Sequence, residues 1–271
     1  RAQADYYLAD GVTGARHLAL AADPDVFAGV KTGTYDCDVA FLGQLYKSEY
    51  QDLCRGLSLY SRGYLEGIIA AQSQINGGYI IDEMLTADTL RLVNSDFLKA
   101  SKGRFSVTGR ELSYTLAKET TGRQRYTALA LLSDRCNVNV YSNDTDGRLE
   151  KASFCGYVDY YDKMPAVFRS SKINLNISLC TIQTGIPLRV LDIMACGGFV
   201  LTNMQPELME YFIPGEDVAV YEDMKDMIAK VQFYLEHEEL RKRIAHGYLK
   251  VCEMFRFDDR IKYMLEIADE K

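Results

Sequence analysis

Tryptophan is absent from the chain, and only three histidines occur, His17, His237 and His246. Two of them, His237 and His246, lie in charged, helix-patterned text, where a surface place is the default. No Ser-His-Asp or Cys-His nucleophile arrangement can be assembled from so few rings. No catalytic base stands out; His17 is the one histidine expected to face a cleft. The seven cysteines are odd in number and contain no C-x-x-C pair, which argues against a disulfide framework or a zinc ribbon. Buried, reduced thiols are expected. No apolar run of about 18 residues and no secretory apolar segment occurs, so the expectation is a cytoplasmic protein without a membrane span. A basic block is missing too: 31 Lys and Arg stand against 38 Asp and Glu, giving a net charge of -7. Nucleic acid is therefore not an expected partner, while a local basic pocket for one diphosphate stays open.

The most telling stretch is residues 184–202. It reads as a turn through Gly185 and Pro187, a helix over 187–196, a break at Gly197 and Gly198, and a buried strand over 198–202. A helix entered from a tight turn offers free N–H groups and a positive dipole end, which suit a phosphate. An acid further along, Asp192, suits ribose hydroxyls. Together they point to a site for a nucleotide carrying a sugar, with Thr184, Gly185, Pro187, Arg189, Asp192, Gly197 and Gly198 as its candidates. A plainer reading competes: Arg189 and Asp192, three apart on a helix, can simply pair with each other. If Asp192 does hold ribose, its loss costs about 1.5–3 kcal/mol of binding.

Elsewhere the pattern alternates. Short apolar strands are expected at 17–22, 38–42, 137–141, 172–177 and 217–221, with an extended piece after 151–155. Helices are expected at 120–136, 161–171, 207–212, 224–235, 238–254 and from 258 onward. From about 48 to 117 the spacing is helical throughout, an all-α insertion in an α/β domain. Strands separated by helices imply a doubly wound parallel sheet. Gly43 after a strand is either a tight turn or a phosphate neighbour. Gly156 and Tyr157 either hold a base or pack in the core. Arg123 and Arg125 are either phosphate or acceptor contacts or exposed helix arginines. The pairs Asp36/Asp38 and Asp144/Asp146 are weak D-x-D strings, and no metal site is expected. Tyr6, Tyr7, Tyr60, Tyr64, Tyr160 and Tyr161 can stack on a sugar or pack at domain surfaces.

Several strings carry a family likeness: Phe41-Leu-Gly-Gln-Leu-Tyr46, Arg62-Gly-Tyr-Leu-Glu66, Ser171-Lys-Ile-Asn-Leu-Asn-Ile177, and Gly185-Ile-Pro-Leu-Arg-Val-Leu-Asp192 running into Gly197-Gly198-Phe199. With these the chain resembles the nucleotide-sugar glycosyltransferases of GT-B architecture, and within them the CgeB-like (spore maturation protein) branch. The likeness spans roughly residues 35–265. It implies a bacterial enzyme whose C-terminal, Rossmann-like half binds a nucleoside diphosphate sugar, with no other cofactor and no metal. It further implies that residues 1–34 are the end of an N-terminal domain and a linker, and that most of an N-terminal acceptor domain is missing. Residues 35–255 would then be the donor domain and 256–271 a C-terminal helix.

In one respect the chain departs from that family. Many retaining members carry two glutamates eight residues apart here; this chain has Thr184 and Asp192, which leaves retention unsupported. The reaction implied is transfer of a sugar to an unidentified glycan, protein or small-molecule acceptor, with Arg189 stabilising the departing diphosphate. A nucleotide-sugar epimerase or a non-catalytic binding module are the alternatives.

Overall fold

The computed structural model describes residues 1–28 and 35–269. Residues 29–34 of the expected linker, and the last two of the expected C-terminal helix, fall outside the described residues. In chain order the elements are α1 (Ala2–Ala9), α2 (Pro24–Ala28), β1 (Cys37–Leu42), α3 (Tyr50–Cys54), α4 (Leu59–Gln72), α5 (Ile81–Met84), α6 (Ala87–Ala100), α7 (Gly109–Ser133), β2 (Val138–Tyr141), β3 (Ser153–Phe154), α8 (Met164–Arg169), β4 (Ser171–Asn176), α9 (Leu188–Ala195), β5 (Val200–Asn203), α10 (Leu208–Tyr211), β6 (Ala219–Tyr221), α11 (Met224–Glu236), α12 (Glu238–Ala245), α13 (Tyr248–Met254) and α14 (Phe257–Asp269).

The chain divides into two units, one formed by residues 1–44, 128–176 and 184–271, the other by 45–127 and 177–183. Among the described residues the first unit carries a six-stranded sheet in the order β3-β2-β1-β4-β5-β6, and every neighbouring pair is parallel. The architecture is thus α/β and doubly wound, with the strand order of a dinucleotide-binding sheet. Its core joins Met164 and Phe168 of α8, Val190, Leu191 and Met194 of α9, and Phe212, Val251 and Phe255. Within β4, Asn174 and Asn176 alternate with apolar residues, yet both are buried. Asn174 Nδ2 donates to the Phe168 carbonyl at 2.9 Å and Asn176 Nδ2 to Thr202 Oγ1 at 2.9 Å, so both amide N–H groups are paired, while Asn174 Oδ1 has no partner among the described residues.

The second unit is helical. Ser58 caps α4 by accepting the Ser61 N–H, and apolar Leu65, Ile68 and Ile69 repeat at helical spacing on its buried face. Thr86 caps α6 in the same way. At the start of α7, Thr108 Oγ1 accepts the Glu111 N–H at 3.2 Å and Glu111 Oε2 accepts the Thr108 N–H at 2.8 Å, a reciprocal capping box. Tyr50, Val93, Phe97, Leu112 and Leu116 complete this unit's core.

Two expectations from the pattern are corrected. Residues 17–22 form no strand; Ala22 makes one isolated bridge to Arg256, its N–H donating to the Phe255 carbonyl at 2.9 Å. A strand needs a ladder of such pairs, and among the described residues 17–21 have no strand partner. The expected single helix over 238–254 is two, α12 and α13, parted at Gly247. Of the seven cysteines, all free, Cys37, Cys54 and Cys196 are buried and Cys155 is exposed.

Candidate functional site

A doubly wound sheet receives ligands at the carboxyl ends of its strands, beside the point where strand order reverses. In this chain that point lies between β1 and β4. Gly43 directly follows β1, and Gly156 and Tyr157 follow β3, so all three stand on that edge. The helix α9 connects two parallel neighbours, β4 and β5, and therefore runs back against them, with its N-terminus on the same edge. Thr184, Gly185, Pro187 and Arg189 gather there.

Gly197 and Gly198 do not. They close the other end of α9, about 12 Å away by helical rise. Gly197 has φ +71, its N–H donates to the Met194 carbonyl at 2.7 Å, and the Gly198 N–H donates to the Ile193 carbonyl at 3.0 Å. This is a Schellman cap, and it accounts for both residues by helix termination. The Gly43 N–H is also occupied, donating to the Tyr141 carbonyl at 3.0 Å as an extension of the β1–β2 ladder. Tyr157 is 68% exposed, so it is a surface ring and not a core one.

The centre of the site is a cluster around Asp192. Its side chain is 1% exposed. Tyr160 donates its hydroxyl to Oδ1 at 2.6 Å, and Arg189 Nη1 stands 3.4 Å from Oδ2. The i,i+3 spacing on α9 puts the two charges on one face, so the ion pair allowed by the plainer reading of the sequence is present. Arg189 also packs its guanidinium 5.6 Å from the Phe168 ring centre. Burial pushes the Asp192 carboxyl above its usual range, further than the Tyr160 hydrogen bond and the Arg189 charge pull it down. Burial likewise lowers Arg189, and burial together with the Asp192 contact raises Tyr160. Arg189 is half-buried, 28% exposed, and its Nη1 also lies 2.7 Å from Met164 Sδ. The cluster thus places one cation, partnered by a carboxylate, in the first turn of α9 at the ligand edge.

A carboxylate does stand beside Thr184, and it comes from another element. Glu207, 1% exposed, accepts the Thr184 hydroxyl at 2.9 Å, and its own N–H donates to the Thr184 carbonyl at 3.0 Å. His17 Nε2 lies 3.2 Å from Glu207 Oε2. Sequence reasoning passed over Glu207, since an acid opening a short helix reads as a dipole partner. Replacing Glu207 with Ala takes the acceptor from the half-buried Thr184 hydroxyl and is expected to cost about 1–2 kcal/mol of stability. A lowered urea midpoint with an unchanged denaturant slope checks this.

The remaining candidates have local partners. In the helical unit, Arg123 makes a two-point contact with Glu66 at 2.7 and 3.0 Å and bonds Glu119 at 2.8 Å. Arg125 is buried, donates to the Ile177 carbonyl and lies 4.4 Å from the Tyr46 ring centre. Asp38 pairs with Lys172 at 2.7 Å and Asp146 with Arg148 at 2.6 Å. Tyr60 and Tyr64 lie on α4 in the helical unit, whereas Tyr160 and Tyr161 meet edge-on at 5.0 Å in the sheet unit.

Comparison with known proteins adds the following. A model of the glycosyl transferase-like family matches residues 101–266. The chain is 25% identical over 155 residues to an uncharacterized protein of Aquifex aeolicus (strain VF5), covering 56% of this chain and 38% of that one. It therefore spans well under half the length of that relative. Among solved structures, sucrose-phosphate synthase from Thermosynechococcus elongatus aligns with TM-score 0.44 and 15% identity, over 53% of this chain and 41% of that one. TarM aligns with TM-score 0.43 and 10% identity, over 54% of this chain and 32% of that one.

Proposed function

The chain belongs to the glycosyl transferase-like family, and from that premise we propose that it moves a sugar from a nucleoside diphosphate sugar to an acceptor hydroxyl or amine. The glycosidic C–O bond breaks with its electron pair going to the β-phosphate oxygen, while the acceptor atom bonds the anomeric carbon and gives up its proton. Negative charge grows on the diphosphate as this happens, and meeting it is the main electrostatic task. We assign that task to Arg189 and the adjoining N-terminus of α9, without a metal ion. Asp192 we assign to anchoring Arg189 and Tyr160 in place of a direct ribose contact, because both of its oxygens are engaged and its side chain is 1% exposed.

The proposal includes a GT-B, CgeB-like setting in the cytoplasm, with this chain as the donor-binding half and an acceptor domain supplied elsewhere. Among the described residues no helix is long and apolar enough to cross a membrane. The observation that carries the reading is the half-buried, carboxylate-backed Arg189 in the first turn of α9, at the carboxyl edge of the sheet. Calorimetry with a panel of nucleoside diphosphates, with and without Mg²⁺, tests it. One nucleotide is expected to bind without metal, and Arg189→Ala to weaken it roughly 10- to 150-fold. A folded protein that binds no nucleotide, or whose binding ignores Arg189, removes the site as drawn.

A further inference from the structure

A cavity of about 310 Å³ opens at the amino-end edge of the sheet, opposite the edge that carries Arg189. Its wall includes Ser171 and Lys172 at the start of β4 and Gly198 and Phe199 just before β5, so it lies at the amino ends of the strands, away from Arg189. Four cations, Arg169, Lys172, Arg241 and Lys242, also line it beside His246, and among the described residues no Asp or Glu does. In a chain of net charge -7 that local excess of cations is unexpected for a surface hollow.

Arg241 gives the cavity its chemistry. It is 3% exposed, its Nη1 donates to the Tyr234 and Leu235 carbonyls, and its Nε, itself shut off from solvent, has no hydrogen-bond partner among the described residues. The other cations are partly engaged: Arg169 Nε donates to the Cys196 carbonyl at 2.6 Å, Lys172 meets Asp38 at 2.7 Å, and Lys242 meets Glu238 at 2.9 Å and Glu239 at 3.0 Å. Those three carboxylates hold the lysine heads but do not form the wall. Phosphate oxygens suit such a cationic wall, since they accept several charge-assisted bonds at once from arginine and lysine. Phe168, Phe199 and Tyr248 give the same cavity apolar ground, and its volume is at the lower end for small-molecule sites.

We infer that this cavity is a binding site for a small phosphate-bearing molecule, separate from the donor site, with the Arg241 guanidinium charge in its wall. The inference stands whether or not the proposed sugar transfer is right.

Inorganic phosphate and a hexose 6-phosphate are the probes, each titrated against the full chain at constant ionic strength. Lysine acetylation read by mass spectrometry locates the binding. Either probe is expected to slow modification of Lys172 and Lys242 several-fold, while exposed Lys163 and Lys225 react as before. Tighter binding of the hexose phosphate marks an organic ligand; equal binding marks free phosphate. Arg241→Gln is expected to weaken the titration roughly tenfold. Because that residue is buried, the pair Lys172→Gln and Lys242→Gln, whose side chains are 35% and 53% exposed, repeats the test in a folded protein. Arg189→Ala is expected to leave the acetylation pattern unchanged. Unaltered reactivity of Lys172 and Lys242, an affinity indifferent to the double variant, or loss of protection in Arg189→Ala overturns the site.

Discussion

Asp192→Ala is expected to lower the stability of the protein by about 3–5 kcal/mol, the cost of removing one member of a buried charge pair. The carboxylate is 1% exposed and serves two partners from different elements, the Tyr160 hydroxyl and Arg189. Without it, a buried hydroxyl loses its acceptor and a largely enclosed guanidinium loses its counter-charge. Tyr160→Phe is expected to cost about 1 kcal/mol, because it removes only the neutral half of that cluster. Asp192→Asn keeps an acceptor for Tyr160 and falls between them.

The pH dependence has an unusual sign. Burial raises the folded carboxyl above its unfolded value, so this group contributes less stability as pH rises from the ordinary aspartate value, about 3.9, through the folded one. Most carboxylates in a folded chain act in the other direction. Urea unfolding of wild type and Asp192→Asn across that window checks it: the difference between them is expected to change with pH and then level off. Full stability of Asp192→Ala combined with weakened nucleotide binding would falsify the anchoring role and return Asp192 to the ribose.

Gly247→Ala is expected to destabilise by about 3 kcal/mol, at the upper end of overpacking effects. The backbone conformation there suits any residue, with φ -54. The obstacle is space: an added Cβ falls inside the Asp217 carbonyl oxygen and 2.8 Å from its carbonyl carbon. Backbone atoms cannot swing aside as a flexible side chain would. Differential scanning calorimetry should show a drop in Tm of roughly 6–12 °C for a domain of this size. Gly14→Ala, where nothing lies within 4 Å of the added carbon, is the control and should stay within about 0.5 kcal/mol of wild type. An equal response at both positions would show that packing at Gly247 is looser than drawn.

The sequence alone determined the α/β class, the parallel sheet, the helical stretch between the first two strands, and the turn–helix–strand unit around α9. These follow from periods of two and of three to four residues and from glycine and proline punctuation, all of them local. It also held both readings of Arg189 and Asp192 without choosing, because i,i+3 spacing permits a pair and says nothing of burial. Only the tertiary structure decided that Tyr160, 32 positions away, closes over Asp192, and that Glu207, 23 positions away, supplies the carboxylate beside Thr184. It likewise moved Gly197 and Gly198 off the ligand edge, since a helix returning against parallel strands carries its two ends to opposite edges. Gly247 split one expected helix into two for a comparable reason: the carbonyl it must clear belongs to a residue 30 positions earlier in the chain. Spacing along a helix or strand fixes which residues share a face, while the partner each face meets is set by packing across segments that have no fixed separation in sequence.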